Sequence, residues 1–251
     1  MLSVRGRREK VKKEACSKIE DFLASSAEVS AWEKDYFALH RDRYGICLDD
    51  VDRSAEDGRV LEVGSVPCHF TVLLKLSGYD VIGVDPHPER ARQIMDRFSL
   101  DVVKRDIEAE RLPFADSSFK TIIFSEVLEH MYIDPLSALS ELARVLSPGG
   151  KLLLYTDNLY SLRTFRRFLS GEGITDAVKE WDKLRTIGHR GHIRLYSAKE
   201  VRGLLALVGL TAIQSGYYHY NEIKSLRSSM IYKVLPGWLS PNQLIIATKN
   251  A

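Results

Sequence analysis

The segment from Arg59 to Asp85 begins Arg-Val-Leu-Glu-Val-Gly-Ser-Val-Pro-Cys-His-Phe-Thr and closes on Gly-Val-Asp. An apolar strand enters a glycine turn, a helix follows, and a second strand ends on an acid, Asp85. An acid about 20 residues beyond the turn glycine is placed to accept hydrogen bonds from the hydroxyls of a nucleoside ribose. After Gly64 the turn continues Ser65-Val66-Pro67-Cys68, without the further glycines that admit a dinucleotide's pyrophosphate. The spacing therefore points to a nucleoside that carries no pyrophosphate. Other polar residues also stand directly after apolar runs: Asp106, the pair Ser125 and Glu126, and Asp157.

Elements must carry these residues to one place. Hydrophobic patterning predicts strands over 60–63, 81–84, 102–104, 121–124, 151–156, 210–215 and 244–248. Helices are predicted over 70–76, stopped by Gly78, over 88–98, opened by Pro88, and over 136–146, ended by Ser147-Pro148-Gly149-Gly150. Ser197-Ala-Lys-Glu200 is a capping box that opens one more, ending at Gly209. This alternation is that of an α/β chain: a Rossmann-like, doubly wound, seven-stranded, mostly parallel sheet with helices on both faces. Such sheets bind ligands at the carboxyl ends of their strands, where Gly64, Asp85, Asp106, Ser125, Glu126 and Asp157 all fall.

Ahead of the sheet, residues 9–39 contain neither Pro nor Gly and place Ile19, Phe22 and Leu23 at helical spacing, whereas 49–58 reads as a polar linker. The expected organisation is an N-terminal helical extension or lid (1–55) before a ligand-binding domain (56–251), with insertions at about 158–195 and 217–242.

A chain of 251 residues with 45% hydrophobic and 28% charged content can bury a full core. Its net charge of +2 gives no broad phosphate footprint, which argues against a nucleic-acid partner. Arg5, Arg7, Arg8, Lys10, Lys12 and Lys13 crowd the N-terminus, as a solvated helix start or as a site of peripheral contact with an anionic membrane. Cys16, Cys47 and Cys68 are too scattered for a disulfide framework or a metal motif, so a cytoplasmic setting and no metal are expected. No apolar run is long enough to span a bilayer.

Four blocks in order resemble the class I S-adenosyl-L-methionine (SAM) dependent methyltransferases, in particular the methyltransferase-11 type. They are Val-Leu-Glu-Val-Gly (60–64), Gly-Val-Asp-Pro (83–86), the run from Arg105-Asp106-Ile107 to Leu112-Pro113-Phe114, and Phe-Ser-Glu-Val-Leu-Glu-His (124–130). The resemblance implies SAM as cofactor. It lets Gly64 and Ser65 approach the ligand, with Glu62 orienting the loop or meeting the ligand's ammonium. Asp85, beside Pro86, takes the ribose hydroxyls. Asp106 takes the adenine amino group, Ile107 covers the ring, and Ser125 and Glu126 line the methionine portion. Of the family's Gly-x-Gly-x-Gly loop only Gly64 remains, and Pro67 removes a donor, so reduced affinity is expected. Residues 34–44 resemble the pre-domain helix of methyltransferases of bacterial glycan assembly, which implies a lid bringing Tyr36, His40 and Arg43 to the SAM carboxylate.

Methyl transfer to a hydroxyl needs a general base. His130 follows the fourth strand, His189 and His192 lie in Gly-His-Arg-Gly-His before the capping box, and Asp157 is a base or an orienter of histidine. The implied reaction is O-methylation of a small-molecule or glycan acceptor, lipid-linked if made at the inner membrane face. Arg163, Arg166 and Arg167 would meet an anionic group on it. The alternative is an inactive scaffold or partner subunit that keeps the SAM-binding fold.

Overall fold

The computed structural model describes residues 4–26, 29, 31–54, 58–187, 191–220, 232 and 234–250. Seven strands form one sheet in the order β3-β2-β1-β4-β5-β7-β6. They are β1 (Val60–Val63), β2 (Val81–Asp85), β3 (Asp101–Lys104), β4 (Phe119–Ser125), β5 (Leu146–Asp157), β6 (Leu210–Tyr218) and β7 (Asn242–Lys249). β1 to β5 run parallel, and β7 is antiparallel to both β5 and β6. The winding reverses between β1 and β4, and the crevice at such a switch point is where α/β sheets bind ligands.

β1 is buried throughout because helices cover both faces of the sheet. Leu61, Val63, Ile122, Phe124, Leu152 and Leu154 point to one core, shared with α5 (Pro135–Val145) and α8 (Ala198–Leu207). Val60, Ile123, Leu153 and Tyr155 point the other way, against α3 (His69–Leu76), α4 (Arg92–Phe98), α1 (Val4–Ser25) and α2 (Ala31–Ser54). Alternate strand residues thus feed opposite cores, as the pleat requires. The capping box forms: Ser197 and Glu200 each satisfy the other's backbone N–H.

Three expectations are corrected. The long N-terminal helix is two helices: the Ser26 N–H and the Ser25 hydroxyl both donate to the Phe22 carbonyl and close α1. The polar stretch 49–54 is not linker but the end of α2. Its acids are held there: Asp50 accepts from the Tyr155 hydroxyl at 3.2 Å, Asp52 accepts from the Tyr79 hydroxyl at 2.5 Å, and Val51 between them is fully buried. The helix expected over 88–98 starts as a tight 3-10 turn, Pro88–Ala91.

The insertion after β5 carries α6 (Leu162–Leu169) and α7 (Ala177–Ile187). Tyr217 and Tyr218 extend β6. Among the described residues no helix is long and apolar enough to cross a membrane.

Candidate active site

A cavity of about 1160 Å3 opens at the carboxyl ends of β1, β2, β4 and β5, beneath α2. Every described catalytic and cofactor candidate lines it: Tyr36, Arg43, Glu62, Gly64, Ser65, Asp85, Pro86, Asp106, Ile107, Ser125, Glu126, His130, Asp157 and His192. His189 lies outside the described residues.

The turn after β1 shows why its first residue is glycine. Gly64 has φ +79°, and a Cβ there would meet Val127 Cγ2 at 2.3 Å. The turn spends its own donors. Gly64 and Ser65 N–H donate to the Val84 carbonyl, Val66 N–H to Asp85 Oδ2 at 3.0 Å, and Cys68 N–H to the Ser65 carbonyl at 2.6 Å. Pro67 has none.

Asp85 Oδ1 also accepts from His87 N–H at 2.8 Å. Each carboxylate oxygen keeps a second lone pair for a ribose hydroxyl. Burial pushes this carboxyl up, against the two backbone donors. Asp106 accepts from Glu108 N–H at 3.0 Å, beside buried Ile107. Glu62 is buried, and desolvation, with the nearby charge of Asp85, pushes its carboxyl up to about 8.

α2 is joined to the sheet by an ion pair. Arg43, 5% exposed, lies 3.3 Å by Nη1 from Glu126 Oε2 and donates through Nη2 to the Tyr36 hydroxyl. Glu126 sits just past β4 with φ +57°, a left-handed conformation that turns its side chain towards α2. Two residues expected to line the methionine portion separately are therefore partners.

At the far end of the cavity, His192 Nδ1 lies 2.9 Å from Asp157 Oδ2. Burial alone would lower this imidazole, but the hydrogen bond and charge of Asp157 raise it to about 9. Of the two roles expected of Asp157, this contact is the one with a histidine. The His130 ring stands edge-on to His192 with centroids 4.6 Å apart. α7 positions the second histidine: Glu180 Oε2 accepts from His192 N–H at 3.3 Å, and a Cβ on Gly191 would meet that carboxylate at 2.2 Å.

Two residues of the site escaped the sequence reading. Glu129 is fully buried, accepts from the Thr156 hydroxyl at 2.7 Å, and is pushed up by burial and by the charges of Glu126 and Asp157. His69, the first residue of α3, is 1% exposed and lines the cavity. A charged residue inside the apolar Val-Leu-Glu-His run was the available signal for the first. Nothing in sequence marks the second. Of the three arginines on α6, Arg163 and Arg167 line the cavity and Arg166 does not.

The wall holds polar atoms waiting for a ligand. Arg43 Nε, Glu62 Oε2, Ser65 Oγ and both ring nitrogens of His69 are buried with no hydrogen-bond partner among the described residues. Donors and an acceptor beside the Asp85 carboxylate suit the carboxylate, ammonium and nucleoside of SAM.

A family model for methyltransferase domains matches residues 8–215. An uncharacterized methyltransferase of Mycobacterium tuberculosis is 30% identical over 145 residues, 55% of this chain and 53% of that protein. The human mitochondrial ubiquinone biosynthesis O-methyltransferase is 30% identical over 182 residues, 67% of this chain and 48% of that protein. The chain spans about half the length of these curated relatives. Among solved structures, a SAM-dependent methyltransferase of Thermotoga maritima superposes with a TM-score of 0.59 at 23% identity, covering 87% of this chain and 94% of that one. One from Archaeoglobus fulgidus gives 0.58 at 18%, covering 85% and 99%. At these identities the structural likeness speaks for the fold alone.

Proposed function

The chain belongs to the class I SAM-dependent methyltransferases, and from that premise we propose that it O-methylates a small molecule, using His192 as general base. The observation that carries this reading is the Asp157–His192 pair, 2.9 Å apart at the end of β5, in the same cavity as the cofactor-binding residues.

SAM, when bound, supplies a methyl group already activated by its sulfonium. Asp85, Asp106 and Ile107 would hold the nucleoside, and Arg43, Glu62, Gly64, Ser65, Ser125 and Glu126 the amino-acid end. What remains for the chain is to align an acceptor oxygen, exclude water and remove a proton. His192 takes that proton on Nε2, because Asp157 fixes Nδ1 as the donor side of the ring. His130 borders the same space and helps to place the hydroxyl. α2, the part of the N-terminal extension that borders the cavity, acts as a lid over the cofactor half. Arg163 and Arg167 face the acceptor half and suit an anionic or glycan substrate, lipid-linked in one version of this reading.

The test is transfer of labelled methyl from SAM to a panel of sugars, lipid-linked glycans and phenols. His192→Ala should lower turnover by about 100-fold or more, with cofactor binding intact. Unchanged turnover would remove His192 from the role. Binding of SAM without transfer to any acceptor would favour the scaffold alternative.

A second reading has one observation of its own. Glu129, His130 and His192 each offer a ligand atom within 4.8 Å of the others, a nitrogen and carboxylate set suited to a divalent transition metal. There a metal would polarise the acceptor hydroxyl in place of a histidine base. Turnover lost in chelator and restored by a divalent ion would favour it.

A further inference from the structure

The turn after β1 has no backbone N–H left for a ligand's carboxylate. Those of residues 64, 65, 66 and 68 are engaged within the protein, and Pro67 has none. With those amides engaged, another group must supply donors to a ligand's carboxylate. His69 immediately follows this turn, lines the cavity, is 1% exposed, and has no partner on either ring nitrogen among the described residues. A buried imidazole with two unsatisfied nitrogens costs stability unless a ligand completes it.

The surroundings say which part of the ligand. Arg43, whose Nε is equally without a partner, lies with its Cζ 6.0 Å from the Tyr36 ring centre and 5.3 Å from that of Tyr44. The His69 ring lies 6.3 and 6.2 Å from the same two rings. Both side chains therefore border the same tyrosine pair. The first-turn amides of α3 add to the positive end, since Cys68 makes no side-chain cap there.

We propose that His69, together with Arg43, binds the carboxylate of SAM, in place of the turn's backbone N–H groups, which are engaged within the protein. This rests on SAM as cofactor and on no assumption about the acceptor. Burial and the charge of Arg43 hold the ring neutral at physiological pH. A neutral donor suits this ligand, because a second cation would repel its ammonium and sulfonium, whereas the charge of Arg43 is already balanced by Glu126.

The experiment compares two ligands by calorimetry: S-adenosylhomocysteine, and its analogue lacking only the carboxylate. His69→Phe should weaken the first by about 10- to 100-fold, the range of a hydrogen bond to a charged group, and leave the second within about twofold. His69→Gln, which keeps a donor, should recover most of the loss and serves alone if the Phe variant does not fold. Equal weakening of both ligands, or none of either, would overturn the assignment and make His69 a shaping residue. Failure of the unmodified protein to bind either ligand would overturn the cofactor itself.

Discussion

Asp157→Asn isolates the electrostatic part of the proposed catalytic pair. Asparagine keeps the shape of the side chain and can still accept the Nδ1 proton of His192, but it removes the charge that lies 2.9 Å away. With Asp157 present, His192 titrates near 9. At pH 7 roughly one molecule in 100 then carries the neutral ring that can take a proton. Turnover of the unmodified enzyme should rise about tenfold per pH unit from pH 6 and level off near 9. Without the charge, the largest raising cause is gone and the imidazole falls towards its ordinary 6.5, where burial, which lowers it, opposes the smaller raising effects of the Glu129 and Glu126 charges. Roughly three-quarters of the molecules are then competent at pH 7, but the base is weaker by about two and a half pKa units. With a Brønsted sensitivity of about one half, the limiting rate should fall about 20-fold. Near pH 7 the two effects largely offset, so the variant should be within a few-fold of the parent there and much slower at high pH. The assay is labelled methyl transfer at saturating substrates between about pH 5.5 and 10. An inflection that stays near 9 in the variant, or profiles without inflection in both proteins, would refute His192 as the base governed by Asp157.

Other outcomes follow from the same geometry. Gly64→Ala combines a left-handed backbone with a side-chain clash at 2.3 Å, and should cost at least about 2 kcal/mol, seen as a fall in Tm of roughly 4–8 °C and as lost cofactor binding. Glu62 is protonated in the folded ligand-free protein up to about 8 but ionises near 4.5 when unfolded, so the unfolded state binds fewer protons between those values. Its contribution to stability should therefore fall across that window, and Glu62→Gln, which cannot ionise, should gain Tm relative to the parent as pH rises from about 4.5 to 8. Arg163→Ala should raise KM about tenfold for an anionic acceptor and leave the affinity for S-adenosylhomocysteine unchanged; the same KM would rule out that contact.

The parallel strands were legible because each is an apolar run buried on both faces, and an acid or glycine marks its carboxyl end. That Glu62, Gly64, Asp85, Asp106 and Glu126 line one cavity followed from that rule, since strand ends place them. The acceptor half was legible only as a set of residue types. His192 and Asp157 are separated by two helices, and their 2.9 Å contact comes with Glu180 of α7 accepting the His192 N–H. The end of α2 was misread because acids normally mark solvent, whereas Asp50 and Asp52 are held by tyrosine hydroxyls from β5 and from the turn before β2. His69 escaped because a buried polar residue among apolar neighbours announces itself only when its missing partners are seen, whereas the charge of Glu129 inside an apolar run was a signal left unused.

The Asp157–His192 contact joins two parts of the chain with different standing. Asp157 is the last residue of a central strand and comes with the sheet, whereas His192 arrives on the insertion that also carries Arg163 and Arg167. Under the proposed function, acceptor recognition and proton removal lie on one length of chain and the cofactor residues on another. A chimera that keeps the sheet and exchanges residues 158–195 would still take its methyl donor but would acquire its substrate and its base in a single step. Recombination within this architecture can change what is methylated without reinventing how the methyl group is held.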